Sequence, residues 1–152
     1  MRIGGMGSMT KEMQKDSYNL QRFVEAQEEM YAVALKEIKQ AGKYNHWMWF
    51  IFPQIAGLGS SYYAQKYSIS SLDEARAYIS HPVLGARLLE CAEAVLALSA
   101  DVCPDFFGYI DSMKLCSSMT LFAEAVPEHS VFQKILDKFY NGKSDLKTIS
   151  LL

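Results

Sequence analysis

The 152-residue chain has no excess of charge in either direction: 15 Lys and Arg stand against 17 Asp and Glu, a formal net charge of −2. Without a basic excess there is little to neutralise a phosphate backbone, so no nucleic-acid polymer is expected as a partner. Long apolar runs are also missing. The longest runs from Trp47 to Pro53, far short of the ~20 residues that span a bilayer. The opening residues, MRIGGMGSMTKEMQKD, hold no apolar run of signal-peptide length. No membrane association is expected, and the chain reads as cytoplasmic. The three cysteines, Cys91, Cys103 and Cys116, are odd in number and never at C-x-x-C spacing. That favours free thiols over a disulfide framework.

The usual signatures of chemistry are absent as well. His46, His81 and His129 lie far apart, none at a ligand spacing from another His, Cys or carboxylate; no metal site and no cofactor are expected. There is no G-x-S-x-G elbow. Gly4–Gly7 and Gly57–Gly59 match neither phosphate-binding glycine loop. No alternating strand pattern and no hairpin turn is visible.

What is present is helical periodicity. Residues 1–15 have no period and read as a flexible tail, leaving residues 16–152 as one helical domain. Leu20, Phe23, Val24, Tyr31, Ala34, Leu35 and Ile38 form one stripe, with Gln27 bridging its gap, Asp16 or Ser17 as cap and Gly42 as the left-handed stop. Ser71 and Glu74 form a capping box for a helix over Leu72–Ser80. Pro82 suits the start of a helix that ends near Ser99. The loop after it ends in two phenylalanines, Phe106 and Phe107, read as a lid on the core. A further helix spans Asp111 to about Val126, on the stripe Leu115, Met119 and Phe122; Ser130 caps VFQKILDKFY, and Asp145 caps a last turn or two. The fold expected is all-α, a single compact domain of five to seven packed helices.

Two segments could carry function. The first is NHWMWFIFPQ, Asn45 to Gln54. Its aromatics suit a core, but two tryptophans edged by a histidine and a glutamine also suit a flat molecule with polar edges. The second is DSMKLCSSMTLF, Asp111 to Phe122. Asp111, Lys114 and Ser118 lie at i, i+3 and i+7 on one helical face, with Ser117 alongside. A lysine flanked by hydroxyls near a helix start can hold an anion; an Asp–Lys surface pair is the plainer reading.

In order along the chain, RFVEAQ, HWMWFIFPQIAGLG, EARAYISHPVLGARL, DSMKLCSSMTLF and FYNGKSDLKTISLL together resemble the domain-of-unknown-function family DUF1810. The resemblance covers nearly all of the chain after the tail. It implies a mainly helical fold and no established activity. Some members bear a calpastatin label, and no feature of this sequence supports calpain inhibition. The order of the EA…HP.LG.RL segment before a late helix with Lys and Phe is also reminiscent of the NADAR superfamily, which acts on ADP-ribose-type N-glycosidic bonds. That superfamily's glutamate-bearing motif has no clear counterpart here.

Three functional expectations follow. In the first, the two segments meet in a pocket for a small anionic, ring-bearing, nucleotide-type ligand. Trp47 or Trp49 stacks on the ring, Lys114, Ser117 and Ser118 hold the anion beside Asp111, and His46 and Gln54 read polar edges. In the second, an N-glycosidic hydrolase uses His46 or Asp111 as acid or base, with Glu25, Glu28 or Glu29 if the first helix lines the cleft. In the third, the charged outer face of the first helix makes the chain a protein-interaction domain with an unspecified partner.

Overall fold

The structure is a computed structural model that describes residues 16–102 and 107–152. The expected tail, Cys103 and Phe106 lie outside the described residues. Among those described there are nine helices and no strand: α1 (Gln21–Gln27), α2 (Tyr31–Lys39), α3 (Met48–Ile51), α4 (Tyr62–Lys66), α5 (Leu72–Ser80), α6 (Leu84–Leu96), α7 (Tyr109–Ala125), α8 (Val131–Phe139) and α9 (Leu146–Leu151). Six of them have seven or more residues. None is long and apolar enough to cross a membrane.

The first stripe is two helices rather than one. The chain turns at Glu28–Met30, where i→i−3 hydrogen bonds (Glu28 N–H to Glu25 O, Met30 N–H to Gln27 O) replace the helical ladder. The break falls at the polar gap in the stripe. Buried Gln27 donates to Phe50 O (2.7 Å) and to Tyr78 Oη (2.9 Å), which ties α1 to α3 and α5. The bend lets α1 pack on α3 while α2 packs on α6. Asp16 caps as expected, taking the amides of Leu20 and Gln21. At the far end the left-handed residue is Ala41 (φ 52°), not Gly42. Ala41 N–H reaches Ile38 O and Gly42 N–H reaches Glu37 O, a Schellman stop shifted by one residue.

α7 is the central helix, packed against α3, α5, α8 and α9. Leu115, Met119 and Phe122 are buried, but so is everything else from Ser117 to Leu121. A helix enclosed on all sides over its middle turns shows no single stripe there. Of its hydroxyls, Thr120 Oγ1 donates locally to Cys116 O at 2.8 Å, and Ser117 Oγ lies 3.1 Å from Met113 O. α5 and α6 meet so closely at Gly85 that a Cβ there would stand 2.0 Å from Ile79 O. Helix starts are capped in three ways. Ser71 Oγ accepts from Glu74 N–H (3.1 Å), while Glu74 reaches back to Ser70 rather than to Ser71. His81 Nδ1 accepts from the amides of Val83 (3.1 Å) and Leu84 (3.2 Å), capping α6. Asp145 accepts from Thr148 N–H at the start of α9. Ser130 stands at the N-cap of α8 but makes no side-chain cap bond. Phe107 is buried and packs edge-on against Trp47.

Candidate functional site

The segment 43–54 is fixed by a buried carboxylate. Glu37, at the end of α2, receives four hydrogen bonds. Its Oε1 takes Tyr44 N–H (3.0 Å), Asn45 N–H (3.2 Å) and Trp47 Nε1–H (2.8 Å), and its Oε2 takes Asn45 Nδ2–H (2.5 Å). Burial pushes its acidity toward the neutral form, but these donors outweigh it and hold the carboxyl below the usual range. Trp47 is thereby committed to the core, with no exposed surface. Lys43 sits over its ring at 4.8 Å and pairs with Asp111 at 2.9 Å. Lys114 also approaches Asp111, at 3.7 Å. Asp111 therefore clamps the 43–47 loop to α7.

Trp49, two residues further on, points the other way. It is half-buried, with Lys114 Nζ 4.4 Å over its ring and the ring of Tyr63 at 5.5 Å. Beside it a cavity of about 350 Å³ opens between the 49–64 segment and α7. Trp49, Gln54, Met113, Lys114, Ser117 and Asp145 line it, with Lys147 at its edge. The loop that forms its outer wall is pinned by a parallel bridge between Ile55 and Ile69. The rim is apolar: Tyr63, Ile110 and Met113 are more than half exposed.

Asp145 was legible only as a cap. Its Oδ2 takes Ser117 Oγ (2.9 Å), Thr148 N–H (3.3 Å) and Thr148 Oγ1 (2.5 Å), and its own N–H donates to Thr120 Oγ1 (2.9 Å). Two hydroxyls of the central helix thus aim this carboxylate at the cavity. A cap needs one carboxylate oxygen, so the pattern S-D-L-K disclosed one oxygen's use and not the other's.

The eight residues expected at the site divide evenly. Trp49, Gln54, Lys114 and Ser117 line the cavity; His46, Trp47, Asp111 and Ser118 do not. His46 is exposed. The hydroxyl of Ser118 is buried without a hydrogen-bond partner among the described residues. Ser117 supports Asp145 rather than standing free to hold an anion. Glu25, Glu28 and Glu29 are exposed on α1 and the turn after it, away from the cavity lining. Neither described cysteine is a poised nucleophile: burial pushes the Cys91 thiol up to about 12, and burial, then the nearby Asp145 charge, pushes Cys116 up to about 11. Among the described residues no three His, Cys, Asp or Glu side chains cluster as a metal site requires.

These features define a small helical domain with an apolar cleft edged by lysines and a carboxylate. The model of the family described as "Protein of unknown function (DUF1810)" matches residues 17–152, and the chain belongs to that family. Among solved structures, the conserved hypothetical protein Rv1873 from Mycobacterium tuberculosis has the same fold, with a TM-score of 0.86 at 47% identity. The match covers 88% of this chain and 96% of that one. No curated protein matches the chain.

Proposed function

We propose that this domain binds a small anionic, ring-bearing ligand in the cavity beside Trp49. The observation that carries the reading is the Lys114–Trp49 pair at 4.4 Å on the cavity wall. An aromatic face and an ammonium stand side by side there, which is what a ring joined to an anion requires. Lys114 covers a face of Trp49 in the free protein, so a ligand's anion draws the ammonium away as its ring takes that place. The size agrees: about 350 Å³ is at the small end of the ~300–1,000 Å³ of ligand clefts, which suits one nucleoside rather than two.

The test is a thermal-shift and calorimetric screen of nucleosides and mononucleotides against the parent protein, Trp49→Ala and Lys114→Gln. A ligand that raises the melting temperature of the parent, and less so that of either variant, supports the reading. A ligand that stabilises all three equally binds elsewhere, and the reading fails.

Asp145 favours a second reading. An N-glycosidic hydrolase needs a carboxylate within reach of the cavity, and Asp145 supplies one where His46 and Asp111 do not. Incubation with ADP-ribosyl compounds separates the two: base released by the parent but not by Asp145→Asn supports hydrolysis, and an intact substrate bound at the cavity supports binding alone.

A further inference from the structure

The cavity wall holds polar groups that the fold leaves unused. Asp145 Oδ2 is saturated by three donors, whereas Oδ1 has none among the described residues. The side-chain amide of Gln54 and the ammonium of Lys147 also lack described partners, and all three residues line the cavity. A half-satisfied carboxylate in an apolar cleft is a constraint on what can enter. It repels any anion brought near it unless the ligand also brings a hydrogen-bond donor to Oδ1. An anion without a donor, a sulfate or a plain aromatic carboxylate, meets that repulsion uncompensated.

The charge balance limits the ligand further. Asp111 is matched by Lys43 at 2.9 Å. Lys114, Lys147 and Asp145 then leave the cavity one net positive charge.

Building on the binding reading above, we infer that the cavity selects a mononucleoside-sized ligand with one net negative charge that presents an N–H or O–H donor to Asp145. Asp145 is the specificity determinant, and Lys114 and Lys147 receive the anion. The geometry makes Asp145→Asn an inversion rather than a deletion. The donors from Ser117 and Thr148 require an oxygen at the Oδ2 position, so the new amide N–H₂ is forced to the cavity side. An acceptor becomes a donor while the support of α9 is kept.

The probes are the four 3′,5′-cyclic ribonucleoside monophosphates, each a monoanion with a 2′-hydroxyl donor, beside the matching nucleosides and 5′-triphosphates. Calorimetry is expected to show a cyclic monophosphate binding tighter than its nucleoside and its triphosphate. Asp145→Asn is expected to lose about ten-fold or more in affinity, the worth of a hydrogen bond to a charged acceptor, while keeping the parent's circular dichroism spectrum below a somewhat lowered melting temperature. Should that variant fail to fold, the ligand decides. The 2′-deoxy, base-N-methylated form of the best probe is expected to bind about ten-fold more weakly, and equal binding overturns the inference. Probes that bind through Lys114 but are indifferent to Asp145→Asn overturn it too, while the binding reading survives. No binding of any probe at about 1 mM removes both.

Discussion

Glu37→Gln tests whether the buried carboxylate organises the aromatic segment. Three donors converge on Oε1 and one on Oε2, and Glu37 is only 7% exposed. Glutamine keeps the shape and the Oε1 acceptor but removes the charge. Bonds to a charged acceptor contribute about 1.5–3 kcal/mol each and neutral ones about 0.5–1.5, so three retained bonds lose about 3 kcal/mol together. The new Nε2–H₂ also faces the Asn45 amide, which must rotate to accept. Against this, a neutral amide is easier to bury, which returns about 1 kcal/mol. The expected net loss is about 2–3 kcal/mol, or roughly 5–10 °C in a chain of this size. Urea denaturation followed by circular dichroism measures it. The pH dependence gives a second check. The folded carboxyl is held below its usual 4.5, so its contribution is complete above that value and fades as pH falls through the folded value. The gap between parent and variant should therefore close on acidification. A gap under about 0.5 kcal/mol at neutral pH, or one that persists undiminished in acid, refutes the argument.

Three further outcomes are expected. Gly85→Ala should abolish the native fold or lose several kcal/mol, because its Cβ would lie 2.0 Å from the Ile79 carbonyl oxygen and backbone there cannot give way; a soluble variant with parental melting temperature would contradict that packing. Ser118→Ala should be neutral or gain about 1 kcal/mol, since it removes a buried hydroxyl without a partner, and chemical denaturation reads the sign. Burial lowers the pKa of His81 below its usual 6.5, and Nδ1 must stay unprotonated to cap α6. Its stabilisation is thus present above pH 6.5 and lost as pH falls toward the folded value; His81→Gln should flatten that part of a stability–pH profile.

Local rules carried the helices and their caps. Ser71, Asp16 and Asp145 cap because the atoms they satisfy are three to five residues away. What was illegible depended on partners distant in the chain. Trp47 and Trp49 are two residues apart at one short helix and so point apart; which of them enters the core was decided by Glu37, ten residues earlier. The first stripe looked continuous because Gln27 keeps the helical spacing, while its bonds to Phe50 and Tyr78 sit where the helix breaks. The stripe on α7 understated a helix whose residues 117–122 are buried on every side. Asp145 entered the cavity because Ser117 and Thr120, 28 and 25 residues back, hold it there.

The cleft is asymmetric in a way that bears on how it would exchange its contents. One wall is α7, whose amides from Leu115 to Ala125 are enclosed by four other helices. The other is the 57–66 loop with α4, which has no buried residue. Burial and packing of this kind predict slow amide exchange for the first wall and fast exchange for the second. A ligand of the kind proposed above would therefore meet one wall built into the core and one that can adjust without partial unfolding of the core, so its exchange would be set by loop timescales rather than by the stability of the domain.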